Sequence, residues 1–353
     1  MNNWFKRSGA ELQRARRTIR KLTLVGAALS GLLLSVVPAH AQEIALYRSY
    51  AGNMSFALTG NTMRSGADGC TALSDSAAVL SLPAGSTLKA AYLYWSGSGQ
   101  PDNSVTLNGA QVNAGVSYTL SVENRPYYSN RADITSRISA STASYRVGNL
   151  TFDTSQNYCG GEAAYGGWAI VAVYENAAEP LRVINLFDGF RDYWGSSITL
   201  TPQNFIVASN PGAKGGKHAH ITWEGDEGNS QSRNNVSEAL TFNGASLTGS
   251  GNPSGNQFNS YSNAVSSGTS GVDLDVYDIG NLLTAGQNSV TTTYSSGQDR
   301  VYLSAEIISI PNEAVSDLAV DISTYETTVS RGSEITYSIS VLNQGPSDEP
   351  AGS

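Results

Sequence analysis

Apolar and polar positions along this chain follow a two-residue period. Leu88–Trp95 puts Leu88, Ala90, Tyr92 and Tyr94 on one side and Ala91, Leu93 and Trp95 on the other. Both sides are largely apolar, which predicts a central strand covered on both faces. Gly167–Glu175 reads the same way, with Trp168, Ile170, Ala172 and Tyr174 opposed to Ala169, Val171 and Val173. Shorter runs predict strands at Ile44–Tyr50, Ser55–Leu58, Ala78–Leu82, Tyr118–Val122 and Ser144–Phe152. Gly, Asn, Pro and Ser clusters separate them, as in an all-β sandwich or barrel. Val105-Thr106-Leu107 runs into Asn108-Gly109, a strong hairpin signal. Asp133 is placed to cap a turn or a single helical turn at Ala132–Thr135.

The plan then returns. Leu181–Phe187 with Asp188-Gly189-Phe190, then Ser197–Thr201, parallels Ile44–Tyr50 with Ala51-Gly52, then Ser55–Thr59. Ala219–Gly225 parallels Ala91–Gly97, which aligns Trp223 with Trp95. Leu240–Leu247 matches Val105–Val112 around a second Asn-Gly pair, Asn243-Gly244. Tyr277-Asp278-Ile279 answers Ala132-Asp133-Ile134, and Ser289–Tyr294 then Arg300–Ile308 answers Ser144–Phe152 then Gly167–Glu175. Six features kept in order point to an internal duplication. The competing reading is two halves of one large sandwich that share β composition. Beyond Ile310-Pro311, Ser316–Val320 and the alternating Ile335–Val341 predict the opening strands of an Ig-like domain, which needs about 100 residues. The expected fold is all-β: two tandem related antiparallel β-sandwiches of jelly-roll or Ig-like type, then a truncated Ig-like segment. The corresponding boundaries are 1–41, 42–180, 181–312 and 313–353.

Residues 1–41 stand apart. Seven Lys and Arg against Glu11 precede an apolar run Leu22–Val37 and Ala39-His40-Ala41. This is the layout of a cleaved secretory signal peptide, with a membrane anchor as the rival reading. Of 21 basic and 29 acidic residues, the mature part keeps 14 and 28, a net charge of −14. Such a surface repels phosphate backbones and argues against a nucleic-acid partner. Cleavage would also leave the mature chain with no membrane span. The two cysteines, Cys70 and Cys159, suit a disulfide in an exported protein; two free buried thiols are the other possibility.

Two stretches resemble known families. Asp317-Leu318-Ala319-Val320, Gly332, Ile335–Ile339 and Asn343-Gln344-Gly345-Pro346-Ser347-Asp348 resemble the start of an Ig-like repeat of unknown function, the eleventh of the domains of unknown function, found in long bacterial surface proteins. Residues 43–312 are similar to the N-terminal β-sandwich module of bacterial surface and adhesin-like proteins. That likeness rests on Ala91–Gly97, Gly167–Val171, Asp188-Gly189-Phe190, Glu224-Gly225-Asp226, Asn252-Pro253, Asn256, Phe258-Asn259-Ser260 and Asp273-Leu274-Asp275. The resemblance implies export and a surface or adhesion setting, and it brings no catalytic residues.

Candidate chemistry is sparse. After residue 41 the histidines are His218 and His220, and no G-x-S-x-G elbow supplies a nucleophile. On a strand His218, His220, Thr222 and Glu224 share one face, a set able to bind zinc or copper. The plainer reading is a polar, solvent-facing stripe over buried Ala219, Ile221 and Trp223. Calcium is possible at Glu224, Asp226, Asp273 and Asp275, if these acids lie in Gly-rich loops with Glu227 and Asp278; ordinary acidic loops capping strand ends are the plainer reading. Tyr127, Tyr128, Tyr193, Trp194 and Tyr261 are expected in loops, as candidates for stacking a sugar. The sequence thus predicts a secreted or cell-surface adhesion or scaffolding protein, non-enzymatic, with a cell-surface protein or glycan as partner. The alternative is a secreted carbohydrate-binding protein or glycan-active enzyme.

Overall fold

A computed structural model describes residues 42–65, 70–160, 163–225, 237–265, 267–313, 318–324, 331–332 and 335–343. The expected signal peptide lies outside them, as does Asp226. Nearly all regular structure is antiparallel strand, as the two-residue period requires. Among the described residues no helix is long and apolar enough to cross a membrane.

Nine strands form one sheet. In spatial order they are Val272–Asp278, Lys217–Trp223, Val301–Pro311, Leu181–Tyr193, Gln42–Thr62, Gly166–Glu175, Thr87–Ser98, Arg125–Asp133 and Val116–Val122. The two strands predicted at 44–50 and 55–58 are one 21-residue strand that changes partner midway. Gln42–Asn53 pair with Leu181–Phe190, and Met54–Thr62 pair with Gly167–Glu175. This strand therefore joins a first half-sheet to a second. Thr87–Ser98 and Gly166–Glu175 are interior strands, and from Ala90 and Gly166 onward nearly every residue is buried, as their two apolar faces demand.

Each half carries its own four-stranded sheet. The first runs Asp75–Leu80, Ala143–Gly148, Ser104–Leu107, Ala110–Asn113; the second runs Ser196–Leu200, Thr292–Ser296, Ala239–Phe242, Ala245–Ser246. One core lies under the first small sheet, with Leu93, Trp95, Val105, Val147 and Trp168. Another lies under the second, with Phe187, Phe242, Leu303 and Ile308. A third joins the inner faces of the two half-sheets, through Tyr94, Val171, Ile221, Trp223, Val272 and Leu274.

Pairing order in the second half repeats that of the first, down to hydrogen bonds. Asn108 and Asn243 both have positive φ (50° and 49°) before glycines at 81° and 80°, the geometry that an Asn-Gly hairpin turn needs. Each asparagine clamps a neighbouring strand in the same way. Asn108 N–H donates to Arg146 O and Asn108 Oδ1 accepts from Arg146 N–H; Asn243 does the same with Thr291. Asp133 accepts from Thr135 N–H and Asp278 from Gly280 N–H, each opening a short 3-10 turn.

Two details of the sequence alignment are corrected. Ser196–Leu200 occupies the place of Asp75–Leu80 in the small sheet, whereas Ser55–Thr59 lies in the long central strand. The Trp95–Trp223 match is also out of register. Asp133 faces Tyr92 and Asp278 faces Lys217, so three residues further on Trp95 corresponds to His220. Trp95 packs under the first small sheet, while Trp223 points between the half-sheets. The shared letters Ala-x-x-x-Trp sit three positions apart in the two halves.

Cys70 and Cys159 form a disulfide, with Cα atoms 5.8 Å apart across 89 residues, and no free cysteine remains. In the chain-entropy model such a bridge adds about 4 kcal/mol. Leu318–Thr324 and Tyr337–Asn343 pair as the predicted two-stranded ladder.

The half-sheets meet where two glycines remove side chains. A β-carbon on Gly60 would lie 2.2 Å from Trp168 O and 2.6 Å from Leu274 Cδ1. One on Gly167 would lie 2.3 Å from Val272 Cγ2. Leu274, Val272 and Trp223 of the second half thus pack directly on backbone of the first. At the far side Arg131 Nε donates to Asp188 Oδ2 at 2.7 Å, and Tyr118 O–H donates to the same oxygen at 2.8 Å. We expect Gly60→Ala to lower the free energy of unfolding by about 1–3 kcal/mol in urea titration, against a change within about 0.5 kcal/mol for exposed Ser117→Ala. Equal midpoints for the two variants would show that the close approach is not needed.

Candidate functional site

The second half holds an ionisable row where the first holds a packed aromatic one. Across three adjacent strands of the first half run Trp168, Trp95 and Asn130. The corresponding row of the second half is Glu306, His220 and Asp275. All three are 0 % exposed, as are His218 and Asp273 beside them. The solvent-facing stripe expected for His218 and His220 is therefore wrong: that face lies against the second small sheet, and the opposite face of Ala219, Ile221 and Trp223 lies against the first half. Both faces of this strand are sealed because a layer packs on each of them.

Local partners hold the row. Tyr294 O–H donates to Glu306 Oε2 at 2.8 Å, and His218 Nε2 lies 3.0 Å from that hydroxyl and 3.3 Å from the same carboxylate oxygen. His220 Nε2 is 3.4 Å from Asp275 Oδ2. Asp275 also accepts from Asn252 Nδ2 at 2.8 Å and Asn263 N–H at 2.9 Å. Asp273 accepts from Asn259 N–H at 2.9 Å. Phe258 and Tyr294 set their rings edge-on to His220. Asp273 and Asp275 are thus strand residues pointing inward, not loop acids as expected for calcium. Among the described residues no group of three or more His, Cys, Asp or Glu side chains is arranged to hold a metal ion. His218 and His220 stand side by side, ring centroids 5.8 Å apart, yet each leans toward its own acid. Of the calcium set, Glu224, Asp273 and Asp275 are described and form no such metal-holding group, while Asp226 lies outside the described residues.

Burial moves the charges in this core. It lowers the His218 imidazole below its ordinary 6.5, against the pull of Glu306. It raises the Asp273 carboxyl well above 3.8, helped by the nearby Asp275. It raises Glu238 above 4.5, helped by Asp299. A sequence clue to the sealed row was available: Glu306 is the one charged residue in Val301–Pro311, and Asp273 and Asp275 alternate with Val272, Leu274 and Val276.

The stacking candidates separate. Tyr127 and Tyr128 are on the strand Arg125–Asp133, not in a loop, and are 1 % and 0 % exposed. Tyr193 ends a strand and is 1 % exposed. Their faces are spent on packing: Tyr127 stacks with Tyr165, and Tyr193 meets Phe258 edge-on. Tyr261 is half-buried, its ring over the backbone of Gly251. Trp194 alone of the five is largely open, at 53 %.

Trp194 stands beside an open pocket of about 210 Å³ at the seam of the halves. The first half contributes Glu123 and Arg125 from the turn between its two outermost strands; the second contributes Trp194, Glu224, Asp299 and Arg300. Arg300 places its guanidinium 4.8 Å from the Trp194 ring centroid, bonds Asp192 Oδ2 at 2.5 Å and reaches Glu123 Oε1 at 3.5 Å. Arg125 pairs with the other oxygen of Glu123. Trp194 Nε1–H donates to Gln298 O at 3.2 Å. Glu224 has φ of 78°, a left-handed conformation uncommon without glycine. The sequence singled out Trp194 and Glu224 but not the pocket, since its lining comes from five separated segments.

The titrations of the buried core oppose one another. Raised acids bind protons in the folded state that the unfolded chain releases, so their contribution falls as pH rises above the unfolded value of about 4. Lowered His218 does the reverse: its contribution is complete above about 6.5 and is lost as pH falls. Asp273→Asn keeps an acceptor for Asn259 N–H and removes one titration. Its thermal midpoint is expected above wild type at pH 7.5, with the gain shrinking toward pH 4. A gain independent of pH, or a loss at pH 7.5, would contradict the assignment.

No known family's sequence profile matches the chain, and no curated protein matches it. Among solved structures it is similar to the conserved protein of unknown function PA5104 from Pseudomonas aeruginosa PAO1. The two are 7 % identical over 77 % of this chain and all of that one, with a TM-score of 0.23. It is also similar to the major capsid protein P2 from Bacteriophage PM2, at 13 % identity, 73 % and 97 % coverage and a TM-score of 0.18. At such scores neither likeness carries an argument.

Proposed function

We propose that the chain is an exported, non-enzymatic β-sandwich protein that works by binding, in an adhesion or scaffolding role at the cell surface. The carrying observation is the separation of its reactive and its accessible groups. His218, His220, Glu306, Asp273 and Asp275 are all 0 % exposed, so neither of these two imidazoles is open to a substrate as general base. The open, chemically mixed feature is the Trp194 pocket, built on strand ends of both halves. Rigid sheets that present loops and strand ends suit recognition. The Cys70–Cys159 disulfide is compatible with an oxidising, exported setting. The basic n-region, apolar run and A-x-A end of residues 1–41, together with the resemblance to surface-protein modules, support the same placement.

The reading is tested by displaying residues 42–353 on cells that do not normally adhere and measuring retention on host-cell or bacterial surfaces. Retention above cells displaying an unrelated β-sandwich is expected, together with no turnover in hydrolase screens. Retention equal to the control, or turnover abolished by His220→Ala, would overturn it.

A further inference from the structure

We infer that the pocket beside Trp194 binds a single neutral pyranose ring. This rests on the binding reading above and supplies its ligand class. Size is the first argument. At about 210 Å³ the pocket falls below the roughly 300–1,000 Å³ of sites for drug-sized ligands. It suits one ring at a chain end rather than an extended polymer.

Chemistry is the second argument. A pyranose offers a face of C–H groups and a rim of hydroxyls that both donate and accept. Trp194 offers the flat apolar surface: Arg300 covers part of the indole at 4.8 Å, and 53 % of the residue still meets solvent. Around it stand donors on Arg125 and Arg300, an acceptor on Glu123, and the amide of Gln298, which is both.

Charge matching decides against the alternatives. Arg300 is already joined to Asp192 and Glu123, and Arg125 to Glu123. A carboxylate or phosphate ligand would have to compete with those acids for the guanidinium groups. An ammonium ligand would have to compete with the guanidinium groups for the acids. A guanidinium carries five N–H donors and a carboxylate about four acceptor sites, more than these pairs consume. Neutral hydroxyls can use what is left without breaking an ion pair. The same pairs hold the side chains in place before the ligand arrives, which lowers the ordering cost of binding.

The test is ligand-observed NMR and calorimetry on residues 42–353, using methyl glucopyranoside, methyl galactopyranoside and methyl mannopyranoside, with glucuronic acid and glucosamine as charged counterparts. At least one neutral glycoside is expected to bind, more tightly than its charged counterparts. Trp194→Ala should weaken that binding about tenfold or more, as loss of a central aromatic contact does. Trp194→Phe should weaken it less, and Gln298→Ala should weaken it without moving the thermal midpoint. Exposed Trp194 makes unfolding of its variants improbable, and an unchanged midpoint verifies this. No binding by any neutral glycoside, binding unchanged in Trp194→Ala, or tighter binding of a charged sugar would each overturn the inference. Cell retention by the wild-type protein, with no neutral glycoside bound, would sink the sugar assignment alone. Sugar binding without cell retention would sink the adhesion role alone.

Discussion

Everything in this molecule depends on two half-sheets lying face to face with almost nothing between their backbones at one point. Gly60 and Gly167 supply that point, because Leu274 and Val272 occupy the space where their side chains would be. Around it the inner faces bury Tyr94, Val171, Ile221, Trp223 and Tyr302. Dispersion between such surfaces falls steeply with small gaps, so the contact fixes how far the halves can separate. The Arg131–Asp188 pair closes the other side under Tyr47, whose ring lies 3.5 Å from the guanidinium. Removing one member of a buried pair leaves an uncompensated charge and costs far more than the pair itself contributes. Close packing sets the spacing, and the ion pair and tyrosines set the alignment.

Within that frame the halves differ along one row. Trp168 and Trp95 fill the first core and satisfy their indole N–H groups on Ser76 and Asp102. Glu306, His220 and Asp275 take the same places in the second, where burial works against every charge. Tyr294 supplies a hydrogen bond to Glu306, and Asn252 and the Asn263 N–H supply bonds to Asp275, whereas neither ring nitrogen of His220 has a hydrogen-bond partner among the described residues. Buried polar groups are tolerated where such partners exist. Beside that row burial lowers the His218 imidazole and raises the Asp273 carboxyl, so stability of the second core should depend on pH. The accessible chemistry lies elsewhere, at the seam, where both halves contribute to the Trp194 pocket.

Much of this fold was legible in the sequence, and the illegible part has a physical reason. Alternation located the interior strands Thr87–Ser98 and Gly166–Glu175, because residues buried on both faces leave an unbroken apolar run. The two Asn-Gly turns and the cysteine pair were legible because each has a strong local or compartmental requirement. Register was not. Matching Trp223 to Trp95 followed letters, whereas pairing places His220 opposite Trp95's role; a three-residue slip also inverts the face. Burial of His218 and His220 was missed since a polar-apolar alternation reads alike whether its polar face meets water or a second sheet. Tyr127 and Tyr128 were misplaced because Pro126 and the polar residues beside them look like loop, while the hairpin Val116–Val122 with Arg125–Asp133 absorbs them into strand. Of the pocket only Trp194 and Glu224 stood out, because a seam between halves joins residues remote in sequence.

The central claim is that the halves, sharing one sheet and one inner core, open together and so hold the seam pocket rigid. Native-state hydrogen exchange with increasing denaturant measures this directly, strand by strand. The account predicts that Phe56–Gly60, Ile170–Val173, Ile184–Phe187 and Ile221–Trp223 exchange only through global unfolding, with one common free energy and denaturant slope. A second-half set that opens at distinctly lower free energy while the first half stays protected would contradict it.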